Sequence, residues 1–387
     1  MQNAIMNRQG AVVKQKSLKS NAKAAVLAAI FALSAGGYAA AADMPAKAPP
    51  PPKPVPFFFV NDTSVSFTWY FNATDPGVAG GTDSTPGGVF GQGNTFWRAQ
   101  GSIDHFDVWE YGTNLIHAEV DQYAPQDPVQ GTPGSSGSRE FFGFTRSTLG
   151  FNELTHSKTF TTFLTNDVGF EYGFTAGTQN NFLAEETTQY VTGLNFDLAI
   201  PKPLGLMLVG VLAYKEFSHN EFDACGPAGG FSGTAYVGFA GACNGGGSFS
   251  GNRDFDWTWK VEIFNSIPLG GLLGSWADSA HIVNILNITG PKGTGISQAN
   301  CIALGCSGAG GAYDTNETKT EVFEDARLSI DTSKIFWGKP GIWDTYVGYR
   351  YWYNKFGTNH NAFLFADIAP GTSIESTAYL GTTYHFK

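Results

Sequence analysis

Charge is scarce in this sequence: only 14% of its 387 residues are charged, against roughly 25% in ordinary soluble domains. With 49 Gly, 32 Phe and only four Met, the shortage disfavours both a helical cytosolic enzyme and a disordered chain. It favours strands and turns. From Val60 onward no apolar stretch reaches the ~18 residues of a membrane-spanning helix, and the longest, Leu204–Tyr214, has the length of a membrane β-strand. The hydrophobic fraction of 42% is ordinary, which argues against a bundle of membrane helices. The nucleophile-elbow, zinc-protease and P-loop motifs are all missing. The histidines at 105, 117, 156, 219, 281, 360 and 385 form no short-range ligand pair. An enzyme is not expected, nor is a metal or other cofactor. The one enzymatic alternative is a lipid hydrolase whose Ser and His meet across strands and leave no linear trace.

Residues 1–42 read as a signal peptide. Arg8, Lys14, Lys16, Lys19 and Lys23 form a basic start without an acid, Ala24–Leu33 is an apolar core too short to span, and Ala40-Ala41-Ala42 offers a cleavage site before Asp43. Without those five basic residues the chain keeps 18 Lys and Arg against 33 Asp and Glu, a net charge of −15. Such a surface repels phosphate polyanions and argues against nucleic-acid binding. Pro45, Pro49 to Pro52, Pro54 and Pro56 make residues 43–59 an extended periplasmic tether that cannot join a sheet. Cys225, Cys243, Cys301 and Cys306 are an even set in an exported chain. They predict two disulfides, most simply Cys225–Cys243 and Cys301–Cys306, although three pairings exist.

Residues 60–387 read as an all-β fold, a closed antiparallel transmembrane β-barrel. Alternation is clearest over 253–265, where Phe255, Trp257, Trp259, Val261 and Ile263 oppose Asp254, Asp256, Thr258, Lys260 and Glu262. Twelve strands are predicted: 60–72, 95–110, 114–122, 139–151, 158–175, 188–200, 204–217, 253–265, 276–289, 317–331, 342–354 and 373–386. Long connectors follow odd strands and short ones follow even strands. That pattern suits an outer-membrane barrel with long outer loops and short periplasmic turns. In hydrocarbon every backbone donor and acceptor must pair within the protein, so a sheet spans only when closed. The apolar face then meets lipid and the charged face a wet lumen. Tyr384 and Phe386 share a face with Ile374 and Leu380, as a last strand facing lipid should, with Lys387 following. The expected partners are therefore the lipid bilayer, lipopolysaccharide and the barrel-assembly machinery of the cell outer membrane.

Several segments also resemble the nucleoside-specific channel-forming outer-membrane family, the Tsx-like channels. They are Asp104-His105-Phe106, then Trp109-Glu110-Tyr111-Gly112-Thr113-Asn114, then Lys215-Glu216-Phe217-Ser218-His219-Asn220, then Pro291-Lys292-Gly293, then Glu321 in a Thr-rich strand start. The longest is Tyr351-Trp352-Tyr353-Asn354-Lys355-Phe356-Gly357. The Gly- and Cys-rich insertions at 218–252 and 290–316 and the terminal Lys387 depart from that pattern. The resemblance implies a monomeric barrel with a narrow pore through which nucleosides diffuse passively. A pore of that kind needs aromatic faces for the base and polar groups for the ribose. Strand alternation offers His117, Glu119 and Asp121 on one wall. A second wall offers Asp254, Asp256, Lys260 and Glu262, and a third Asp344, Tyr346, Arg350, Trp352 and Asn354. Two other readings remain open: a general or other small-solute porin, and a structural or adhesive barrel that binds a partner through its outer loops.

Overall fold

The computed structural model describes residues 57–76, 95–127, 129, 136–181, 186–225, 249–293, 318–357, 371 and 373–386. The signal segment, nearly all of the tether, and Cys243, Cys301 and Cys306 with their expected bridges lie outside these residues. Thirteen strands run in chain order: β1 (Phe58–Ala73), β2 (Phe96–Trp109), β3 (Gly112–Tyr123), β4 (Arg139–Gly150), β5 (Thr165–Gln179), β6 (Glu186–Leu198), β7 (Leu206–Cys225), β8 (Phe249–Asp254), β9 (Thr258–Pro268), β10 (Ala280–Thr289), β11 (Glu321–Asp331), β12 (Trp343–Tyr353) and β13 (Ile374–Phe386). β8 and β9 pair with successive parts of β7 and together make one stave. Pairing of β6 with β7 and of β1 with β13 closes the ring at twelve antiparallel staves. Both described chain ends lie at one end of the ring, here the terminal end. The opposite end, which receives the segments after β1, β3, β5, β7, β10 and β12, is the loop end.

Successive side chains on a strand face opposite sides, and here the two sides differ in kind. On β1, Ser64, Thr68 and Tyr70 are buried, whereas Val65, Phe67 and Phe71 are exposed. The same inversion holds around the ring. Ile103, Ile116, Val120, Phe141, Phe170, Phe174, Tyr190, Leu194, Val211, Val347 and Leu380 face out, while Arg98, Asp121, Glu171, Glu216, Lys260 and Glu375 are buried. A soluble fold buries the opposite set. An apolar exterior around a ring with no free edge is the arrangement that hydrocarbon demands, and the chain is a transmembrane β-barrel. Among the described residues no helix is long and apolar enough to cross a membrane.

Some strand ends shift by a few residues: β1 starts at Phe58, within the expected tether, and β10 and β11 start at Ala280 and Glu321. The structure departs most from the sequence expectations in three places. The fifth strand begins at Thr165, not 158. Asn152 and the threonines of 159–165 form local bonds instead, among them Phe160 N to Asn152 Oδ1 at 2.9 Å and Thr165 N to Thr162 Oγ1 at 3.0 Å. Side chains of this kind compete with a ladder for the backbone. The connector after β4 is therefore 151–164, longer than the 180–185 that follows β5, so strict long–short alternation fails here. The seventh strand continues to Cys225, beyond the 217 expected. The strand expected over 253–265 breaks at 255–257, where Phe255 N bonds Glu216 O and Asp256 N bonds Gly293 O. The break turns Phe255 inward and leaves Trp257 and Trp259 outward.

Two inward glycines on neighbouring strands are filled by tyrosines. Gly348 is the register partner of Tyr379 and Gly381 that of Tyr346. A Cβ on Gly348 would lie 2.3 Å from the Tyr379 ring, and one on Gly381 2.4 Å from the Tyr346 ring. The rings need that space to reach their partners. Tyr346 Oη lies 2.7 Å from Thr68 Oγ1, and Tyr379 donates to Asp325. Gly381→Ala should overpack this seam, costing about 1–3 kcal/mol. The expected result is a lower urea midpoint of the folded, heat-modifiable band, with Gly101→Ala unchanged because open space surrounds Gly101.

Candidate functional site in the barrel interior

The interior falls into three levels. At the loop end, Lys355 is buried and its ammonium donates to Thr74 O and Asp75 Oδ1 at 2.7 Å each and to Glu375 Oε2 at 2.9 Å. Burial opposes its charge, but Asp75 and Glu375 hold it above the usual lysine range. Gln179 on β5 donates to Asp75 Oδ2 at 2.8 Å and to Asp127 Oδ2 at 3.2 Å, and Ser138 bonds the same Asp127 oxygen. Burial and the neighbouring Asp75 carboxylate push Asp127 well above the ordinary carboxylate range. Residues that follow β1, β3 and β12 are thus latched together inside the mouth.

The middle level stacks cations on aromatic rings. The guanidinium of Arg98 lies 4.1 Å from the centre of the Tyr70 ring, and that of Arg350 lies 4.6 Å from it. Arg98 pairs with Glu375 at 3.5 Å and Asp121 at 3.7 Å, and Arg350 with Asp325 at 2.9 Å. His117 sits between Asp104 and Glu119, each of its ring nitrogens 2.7 Å from a carboxylate oxygen, and lies stacked 4.9 Å from Phe144. Arg146 on β4 reaches across to β9, donating to both oxygens of Glu262 at 3.0 and 2.9 Å. Three staves, β5 to β7, stand between those two strands, so this fork spans the lumen as a crossbar. Lys260 supports it 3.1 Å from Glu262.

The terminal end holds an apolar cluster on one side of the bore, beside the buried pairs of His385 with Asp62 and Asp344. Val60, Phe106 and Val108 of β1 and β2 are buried against Leu115, Leu206 and Phe264, with Phe59 alongside. β7 and β9 stand nearly opposite β1 and β2 in the ring, so Leu206 and Phe264 meet Val60, Phe106 and Val108 across the bore as an apolar plug that narrows it.

Of the residues singled out from the sequence, His117, Glu119, Asp121, Lys260, Glu262, Asp344, Tyr346, Arg350 and Trp352 stand at inward register positions. Trp352 Nε1 donates to Glu321 Oε1 at 2.6 Å, and its ring packs edge-on to Phe323 and Phe356. Asp254 does not reach the interior: it is exposed and pairs with Lys215 on the outward parity of β7. Asp256 is exposed as well, because the break at 255–257 carries it out of the wall. Asn354 lies past the end of β12 with φ 50°, its amide donating to Thr320 O at 2.9 Å. Sequence reading missed Arg98, Gln100, Arg146, Asp325, Arg327 and Glu375. The parity of β2, in which Arg98, Gln100, Ser102 and Asp104 alternate with Trp97, Ala99, Gly101 and Ile103, carried the signal for the first two. The segments bearing the family resemblance pair with one another or with their neighbours inside the barrel: Asp104 with His117, Lys292 with Glu216 at 2.7 Å, and Glu321 with Trp352.

No family model matches the chain, and no curated protein does. Among solved structures it is similar to a KdgM porin, with 8% identity over 84% of this chain and 99% of that one at a TM-score of 0.33. It is also similar to the translocator domain of the autotransporter NalP from Neisseria meningitidis, with 12% identity over 84% and 89% at 0.34. A third is the outer-membrane channel DcaP of Acinetobacter baumannii, with 8% over 84% and 96% at 0.29. At such scores these likenesses carry no argument about what this chain does.

Two substitutions separate the barriers. Phe264→Ser wets the plug and Arg146→Gln removes the crossbar. Each should raise single-channel conductance in planar bilayers on the order of twofold, since apolar constrictions gate by dewetting and charged ones by occupancy. Unchanged conductance in both would place the barrier elsewhere.

Proposed function

We propose that the protein is an exported outer-membrane channel of narrow bore, monomeric, with its terminal end toward the periplasm. Small uncharged solutes of the nucleoside class would diffuse through it passively. One observation carries the reading: Trp352, Phe323 and Phe356 gather edge-to-face inside the barrel, with Glu321 bonded to the Trp352 indole and the Lys355 ammonium over its ring. Flat rings suit a base, and adjoining donors and acceptors suit a ribose. The segments resembling Tsx-like channels supply much of this lining. Interior acids such as Glu171, Glu216, Glu262 and Glu321 outnumber the Arg146, Lys260 and Lys292 that face them, which disfavours phosphorylated solutes. The interior pairs read as wall and selectivity groups rather than as catalysts.

Liposome swelling with adenosine, a disaccharide of similar mass and AMP tests the proposal. Adenosine should enter fastest and AMP slowest. Trp352→Ala should reduce the adenosine preference by the loss of about 1–3 kcal/mol of stacking. Equal rates for adenosine and the disaccharide would leave a general small-solute porin. A second reading, a sealed structural or adhesive barrel acting through its outer loops, is favoured by the crossbar and the plug. Absence of any conductance in planar bilayers, for the natural chain and for Phe264→Ser alike, would select it.

A further inference from the structure

The staves on one arc of the barrel are short, and polar turns do not follow them. β10 has 10 residues, and β11 and β12 have 11 each. At ~3.4 Å per residue and a tilt of ~40°, ten residues rise about 26 Å, close to the ~25 Å apolar band of such barrels. The turns beneath them, 269–279 and 332–342, therefore begin where hydrocarbon gives way to headgroups. They carry Leu272, Leu273 and Trp276, and Ile335, Phe336 and Trp337. Trp276 is 79% exposed and Phe336 74%, more than the outward strand residue Val347 at 57%.

These crests are held in place. The Asp331 carboxylate accepts from Ser333 Oγ at 2.7 Å, Lys334 N at 2.8 Å and Gly341 N at 2.8 Å. Lys334 Nζ donates to Asp278 O at 2.9 Å and joins the two turns, and Trp337 stacks on Trp343 at 5.6 Å. The polar side of each turn is bonded to the barrel and its apolar side is left outward. Phe163, Leu164 and Leu204 extend the ring of exposed apolar side chains along the same rim. Lys158, Lys202 and Lys339 are exposed among them, against the acids Glu110 and Asp278. The half-buried acids Glu153 and Asp197 lie on the same rim, so the lysines are local cationic points beside the apolar crests and the rim as a whole is mixed in charge.

We propose that these turns form a lipid-anchoring collar, with the apolar crests seated at headgroup depth and the lysines engaging anionic glycerophospholipid of the periplasmic leaflet. The inference rests on the membrane-barrel reading and is independent of the channel's substrate. Amphipathic rings prefer the interface, and each lysine beside an anionic surface contributes about 1 kcal/mol. A protein partner would be met by one continuous apolar patch. Here the apolar groups are spread over four turns and share one depth.

The full chain, reconstituted in phosphatidylglycerol vesicles, tests the collar through Trp276→Phe and Trp337→Phe, which should keep the folded, heat-modifiable band. The fluorescence difference between natural chain and variant should be quenched by lipids brominated near the headgroup and protected from aqueous acrylamide. In native mass spectrometry the natural chain should retain phosphatidylglycerol over phosphatidylcholine. Lys202→Gln with Lys339→Gln should lower that preference on the order of fivefold per lysine. Acrylamide access without bromolipid quenching, while total fluorescence is quenched, would overturn the collar and point to a periplasmic protein at this rim. Equal retention of both lipids would overturn the anionic preference. Absence of quenching for the whole chain would instead overturn the membrane-barrel reading.

Discussion

Ring closure governs the rest of the structure. A strand with unpaired N–H and C=O groups cannot lie in hydrocarbon, so the first and last strands must pair. They do so over Thr63–Tyr70 against Tyr379–Phe386. Side chains reinforce the closure: Ser66 Oγ lies 2.8 Å from Thr383 Oγ1, and His385 Nδ1 lies 3.0 Å from Asp62 Oδ2. The ladder partners are separated by more than 300 residues, so the contact most necessary for stability is also the least local. The inward polar seam formed by Thr68, Tyr346, Gly381 and Thr383 belongs to that closure as much as to the lumen.

Closure also decides what the interior contains. With alternate side chains committed to lipid, the remaining half face one another across a bore too narrow to hydrate them all. Buried charges survive only when paired. Lys355 has three oxygen partners and Arg146 takes both oxygens of one carboxylate. The two guanidinia on the Tyr70 ring each have acids beside them, so neither face carries an uncompensated cation. Removal of one partner from such a pair costs about 3–5 kcal/mol, because the other charge is left stranded. The same pairs that narrow the lumen therefore keep it folded, which ties permeability to stability in this wall.

The fold was legible because alternation is a local property. Each of the twelve staves has its counterpart among the expected strands, and Trp352 shares inward parity with Asp344 and Arg350 as spacing alone requires. Parity failed where the ladder itself fails. At 255–257 three residues leave the sheet, and Asp254 before the break stands on the outward face. The strand expected from 158 begins only at Thr165, because Asn152 and the threonines offer bonds closer at hand. The crossbar was beyond reach for another reason. Arg146 and Glu262 are 116 residues apart on non-adjacent strands, and no pattern along a strand specifies which residues meet across a bore. The apolar plug was hidden in the same way, since Phe106 and Leu206 read individually as wall residues.

The loop-end latch and the terminal-end plug differ in chemistry, and the difference bears on what can pass. The loop-end latch is polar: a solute rich in hydroxyls and ring nitrogens can replace its hydrogen bonds one at a time, without leaving Lys355 or Asp75 unpartnered. The terminal-end plug offers nothing in exchange. An ion entering between Phe106 and Phe264 must shed water against apolar side chains, at a cost of several kcal/mol. A flat base loses little water there and gains contact with the rings. In a conducting barrel, the latch would then reward hydrogen-bonding capacity, and the plug would penalise charge. An uncharged solute with a hydrogen-bonding portion satisfies both, and one that also carries a flat aromatic portion gains contact with the rings. On the proposed reading, selectivity for the nucleoside class would not reside in one binding residue. It would arise from the order in which two unlike barriers must be crossed.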